Sequence, residues 1–112
     1  MKKLLIAAMI ALACVSAAHA NERSVETYYF ACKSVPDLVA ITRVAGRTNN
    51  DAFDRIAARV FPKNRCTMLS PGQRVTIERT NARGRHCVRT AFDPECFWTD
   101  EAAFHPRVGA RQ

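Results

Sequence analysis

The chain has 112 residues, 48% of them hydrophobic and 24% charged, with a formal net charge of +7. That length holds one small domain and excludes a multidomain or repeat architecture; no repeat or low-complexity stretch occurs. The basic balance is compatible with anionic partners (lipid headgroups, teichoic or lipopolysaccharide phosphates, acidic proteins; nucleic acid is not favoured among them), but general solubility is the plainer and preferred reading of the charge.

The N-terminus reads as an export signal. Lys2 and Lys3 precede an unbroken apolar run from Leu4 to Val15, and Ala18-His19-Ala20 is a small-x-small cleavage site. The run falls short of the roughly 20 apolar residues that span a bilayer. Cleavage after Ala20 leaves 92 residues with a formal charge of +5, since only Lys2 and Lys3 are lost and no acid. The expected location is periplasmic or secreted, in a bacterium, where disulfides persist. A lipoprotein is the alternative: Ala11-Leu12-Ala13-Cys14 resembles a lipobox, although Ala11 stands where a large aliphatic residue is usual.

The mature chain, residues 21–112, is expected to fold as a single domain. Residues 21–31 lead in, and Tyr28-Tyr29-Phe30-Ala31-Cys32 is a short strand or an extended segment. Ser34, three residues before Asp37, is an acidic variant of the capping box, and Pro36 suits a first turn. Leu38, Ile41, Thr42 and Ala45 recur at helical spacing with Arg43 and Arg47 outside, and Gly46 suits the residue after the helix. This predicts a helix over about 35–45. A second is predicted over about 51–61, where Phe53, Ile56, Ala57, Val60 and Phe61 form an apolar stripe that Pro62 stops. Two helices so closely joined pack as an antiparallel hairpin.

After Pro62 the period changes to two. Cys66-Thr67-Met68-Leu69 reads as a strand, Ser70-Pro71-Gly72-Gln73 as a type II turn, and Arg74 to Arg79 as a strand with Val75 and Ile77 on one face. Residues 81–84 form a hairpin loop and 85–90 its partner strand; Asp93-Pro94 turns the chain into a strand over 96–99. Asp100 caps a last helical turn through Phe104, and residues 105–112 are a flexible tail. Helices before strands point to an α+β fold.

Three segments resemble a bacterial SH3-type small barrel: Leu69 through Ile77, Cys87-Val88-Arg89, and Phe97 through Phe104. Their order is a glycine turn opening a strand, a Val-Arg strand, a Trp strand and a short closing turn. The likeness covers about residues 66–104; a preceding helical hairpin of this size is not usual in that family. It implies a binding module without catalytic residues. The expected fold is therefore α+β: an N-terminal helical hairpin, about 35–61, followed by a small antiparallel SH3-like β-barrel or sheet.

Four cysteines remain after cleavage, and four permit three pairings. Cys32–Cys66 and Cys87–Cys96 are favoured. The first pair brackets the helical hairpin, whose two ends come together, and the second flanks a turn between consecutive strands. Two such links, each worth about 2–4 kcal/mol, would offset the small core. No Cys-x-x-Cys pair occurs, which argues against zinc and against redox catalysis, and no cofactor is expected.

Catalysis finds little support. His86 and His105 are the histidines left; with Arg83, Arg85 and Arg89 they make a small nuclease-like toxin conceivable. Yet His105 adjoins Pro106 in the tail, so nothing in the sequence holds it against His86, and general acid–base work needs positioned groups. No serine elbow, phosphate loop or calcium loop occurs. The candidate binding residues are Arg79, Arg83, Arg85 and Arg89 around one hairpin, together with Trp98. Phe97 and Trp98 point to opposite faces of a strand, so one is core and the other lines a groove or lies beneath the helices. The function expected is that of an exported, non-catalytic, monomeric binding module of the cell envelope. Its partner would be a protein, a peptide or an anionic glycan, with peripheral membrane contact left open. An inhibitor of a host or competitor hydrolase, acting through the disulfide-closed loop 87–96, is the alternative.

Overall fold

The computed structural model describes residues 21–47 and 50–106. The expected export signal, the expected cleavage site after Ala20, Cys14 and residues 107–112 of the expected tail lie outside these residues. Among the described residues two helices, α1 (Val35–Val44) and α2 (Asp51–Val60), accompany six strands. The strands are β1 (Glu22–Ser24), β2 (Tyr29–Cys32), β3 (Cys66–Leu69), β4 (Arg74–Thr80), β5 (His86–Arg89) and β6 (Phe97–Thr99), followed by a 3-10 turn at Glu101–Phe104.

All strand pairs are antiparallel, in the order β1-β4-β5-β6-β2-β3, so the sheet is open with β1 and β3 at its edges. The fold is α+β. Two strands come from before the helices, so the sheet is not confined to the second half of the chain. β1 has three residues and little alternation to announce it; it is held by pairing with β4 and by bonds from Val25 N–H to Gln73 O and Gly72 N–H to Val25 O, both 2.8 Å.

Strand alternation divides the interior into two cores. One face carries Val25, Ala31, Leu69, Val75, Val88 and Phe97, closed by Ala103 and Phe104 of the 3-10 turn. The other carries Cys32 and Cys66 and meets the helices through Leu38, Ile41 and Val60. Phe30 of β2 reaches α2, with ring centroids 5.9 Å from Phe53 and 6.1 Å from Phe61. Phe97 belongs to the first core and is 1% exposed; half-buried Trp98 packs toward the helices.

Local chemistry explains the boundaries. Ser34 Oγ accepts from Asp37 N–H at 3.3 Å and starts α1. The turn at 70–73 places Gly72 at φ 87°, the left-handed position that a type II turn gives to glycine, and Gln73 N–H donates to Ser70 O at 3.0 Å. Cys32 pairs with Cys66 and Cys87 with Cys96, with Cα atoms 4.0 and 5.3 Å apart. Asp100 precedes the 3-10 turn but its side chain makes no cap bond, a departure from the sequence expectation, because its carboxylate is held elsewhere.

Candidate functional site

The 81–85 loop is built by one asparagine. Asn81 Oδ1 accepts from the N–H groups of Arg83 and Arg85 at 3.0 and 2.9 Å, and its own N–H donates to Arg85 O at 2.9 Å. Gly84 takes a φ of 80°, a left-handed conformation that other residues rarely adopt, and so lets the chain reverse. The loop thereby holds Arg83 and Arg85 opposite α1.

Between them lies a cleft of about 840 Å³. Its α1 wall is Val35, Pro36, Val39 and Ala40, ending in Arg43; across it stand Asn81, Ala82, Arg83 and Arg85. Three guanidinium groups and no carboxylate line it. Arg85 donates from Nε to Asp100 Oδ1 at 3.0 Å, which fixes that side chain. Arg43 and Arg83 are exposed and have no side-chain partner among the described residues. Such a site offers an apolar wall beside uncompensated positive charge, the composition that an anion with an apolar body fits.

The sequence pointed to Arg83 and Arg85 but set Arg43 aside as an outward helix residue. A weak signal for it existed: Val35, Val39 and Arg43 recur every four positions, beside the buried stripe. The other candidates lie elsewhere. A β-bulge between Ile77 and Arg79 shifts the β4–β5 register, so Arg79 falls opposite Cys87 instead of sharing the face of Val75 and Ile77. Its guanidinium lies 5.6 Å from the Trp98 ring centroid and 3.6 Å from Cys96 Sγ. Arg89 is paired with Glu78. The expected single arginine cluster is thus three separate arrangements.

The histidines are closer together than the sequence implied. His86 Nε2 lies 2.7 Å from Glu101 Oε1, and His105 Nε2 lies 2.7 Å from Glu101 Oε2. Arg23 adds two bonds of 3.0 Å to the same carboxylate. The tail residue His105 is therefore held against His86 through Glu101, which corrects the expectation that nothing fixes it. With Glu101 ionised, a neutral His86 carries its proton on Nε2, leaving Nδ1 to accept from the Thr80 hydroxyl at 2.8 Å. The Arg23 guanidinium, opposed by partial burial and helped by both imidazoles, brings the Glu101 carboxyl down to about 2. Beside it, Tyr29 donates to Asp100 at 2.6 Å; burial first, and then that bond, push the phenol well above its ordinary value.

Two further surface features stand out. Phe92, at the tip of the loop closed by Cys87–Cys96, is 99% exposed. A second cleft of about 510 Å³ carries Tyr28, Thr42, Met68 and Pro106 but no arginine. Among the described residues no group of three histidine, cysteine or acidic side chains is placed to hold a metal ion, and no helix is long and apolar enough to cross a membrane. No family model, curated protein or solved structure matches the chain.

Proposed function

We propose that this chain is an exported, disulfide-bonded, non-catalytic binding module of the bacterial cell envelope, and that the arginine cleft between α1 and the 81–85 loop is its site. One observation carries the reading: Arg43 and Arg83 line the cleft beside an apolar wall with no acid among the described residues to neutralise them. A folded domain that leaves two guanidinium groups uncompensated at a concave surface is suited to an anionic partner. The partner class is an anionic glycan, or an acidic segment of an envelope protein or peptide, that also presents an apolar group.

The non-catalytic reading draws support from His86, whose ring nitrogens are both engaged, Nε2 with Glu101 and Nδ1 with Thr80, so neither is open to a substrate. The two cysteine pairs support an oxidising compartment, in keeping with the signal read in residues 1–20. The SH3-type resemblance of residues 66–104 points the same way, toward binding.

Calorimetric titration of the oxidised chain against lipopolysaccharide, soluble peptidoglycan fragments and phosphatidylglycerol vesicles tests this. Binding to at least one is expected. It should weaken with salt and fall roughly tenfold or more in Arg43→Glu/Arg83→Glu, which spares the Asp100 partner Arg85. Binding indifferent to that variant overturns the reading, and binding to none of the three removes the anionic-glycan partner.

A further inference from the structure

We propose that the cleft receives the 90–96 loop of a second copy of this chain, so that the protein associates head to tail. This rests on the reading of the cleft as an anion-binding site and names its occupant. In a chain of net charge +7, residues 90–96 contain two acids, Asp93 and Glu95, and no base. Neither carboxylate has a partner among the described residues. Between Ala91 and Asp93 stands Phe92, 99% exposed. The loop is thus an aromatic knob flanked by negative charge; the cleft is an apolar wall flanked by positive charge. Each has what the other lacks: Val35, Pro36, Val39 and Ala40 would cover the ring, and Arg43 and Arg83 would face the two acids.

Both surfaces are held in shape before they meet. The Cys87–Cys96 disulfide closes the loop at its base, with Cys87 buried and Arg79 beside both sulfurs. Asn81 and Asp100 hold the opposite wall of the cleft. Prior ordering lowers the entropy lost on association. One copy cannot satisfy itself, because the 81–85 loop enters β5 and the 90–96 loop leaves it, at opposite ends of one strand. The contact is heterologous, so repetition builds a ring or an open chain instead of a symmetric dimer. A single loop in a single cleft buries little surface, so the association is weak and shows at high protein concentration.

Sedimentation velocity of the oxidised chain from micromolar to millimolar concentration tests this. The sedimentation coefficient should rise with concentration. Phe92→Ala/Asp93→Arg/Glu95→Arg, which removes the knob, and Arg43→Glu/Arg83→Glu, which removes the socket, should each weaken association roughly tenfold or more with unchanged melting. If charge reversal lowers melting, Arg43→Gln/Arg83→Gln replaces it. Mixing the two variants should give one-to-one dimers and nothing larger, because only one cleft and one loop remain intact in the pair. A chain that stays monomeric at millimolar concentration, or association that neither variant weakens, overturns the proposal. If the chain stays monomeric while its socket variant loses binding to the anionic envelope probes, self-occupation fails and the cleft reading stands. If the socket variant changes neither measurement, both fail.

Discussion

Arg23 and Glu101, 78 positions apart, meet through two parallel hydrogen bonds of 3.0 Å that tie edge strand β1 to the closing 3-10 turn. The same guanidinium lies 4.3 Å from the ring centroid of Phe104, so one side chain joins the salt bridge to the core. Glu101 is thereby a common acceptor for β1, β5 and His105.

This carboxylate gives the fold an acid-sensitive link. Its ordinary value of 4.5 falls to about 2 in the folded chain, chiefly through Arg23. The folded state therefore binds fewer protons in that interval, and the contribution is complete above about 4.5 and lost as pH falls toward 2. Because the side chain is 45% exposed, solvent screening reduces its worth to about 1 kcal/mol. Glu101→Gln should lose that amount at neutral pH and flatten the acid dependence of melting over the same interval. Melting curves as steep in acid as those of the native chain would count against this role.

Asp37 depends on Arg65. Its side chain is 10% exposed and receives Nε at 3.0 Å and one terminal nitrogen at 2.8 and 2.7 Å. Arg65→Ala leaves that carboxylate without a hydrogen-bonding partner among the described residues, near the start of α1, for an expected loss of about 2 kcal/mol. Adding Asp37→Asn should restore part of it. A double-mutant cycle in urea measures the coupling, and strict additivity would refute it.

The disulfides differ in what they close. The Cys32–Cys66 separation is 34 residues and the Cys87–Cys96 separation 9. Loop-closure entropy assigns about 4 kcal/mol to the first and about 3 to the second. Cys32→Ala/Cys66→Ala should therefore be the more destabilised pair in chemical denaturation. The reverse order would show that native-state packing outweighs loop length.

Phe97 and Trp98 have opposite roles. Phe97→Ala removes a core ring and should cost about 4 kcal/mol. Trp98→Ala, at a half-buried site beneath Arg79, should cost visibly less. Equal losses in equilibrium unfolding would contradict the two-core division.

Export is tested by expression with the leader in a bacterial host. Intact mass should correspond to a chain starting at Asn21 with no alkylatable thiol, and replacing Ala18 and Ala20 with bulky residues should block processing. An uncut chain with free thiols would remove the envelope setting altogether.

Much was legible locally. The apolar stripe from Phe53 to Phe61 and the stop at Pro62 bound α2 within a residue, because helix signals come from neighbours three or four positions apart. Pro71-Gly72 marked its turn because only a few residue types suit those angles, and the cysteines pair as their flanking elements implied. Tertiary structure alone decided the rest. A one-residue bulge turned Arg79 onto the opposite sheet face, beside Trp98, since strand faces invert with each residue. β1 is a strand only because β4 pairs with it, and His105 meets His86 only through a carboxylate brought in by the 3-10 turn. Arg43 faces Arg83 because α1 packs over one sheet face, a relation between surfaces to which short-range periodicity is blind.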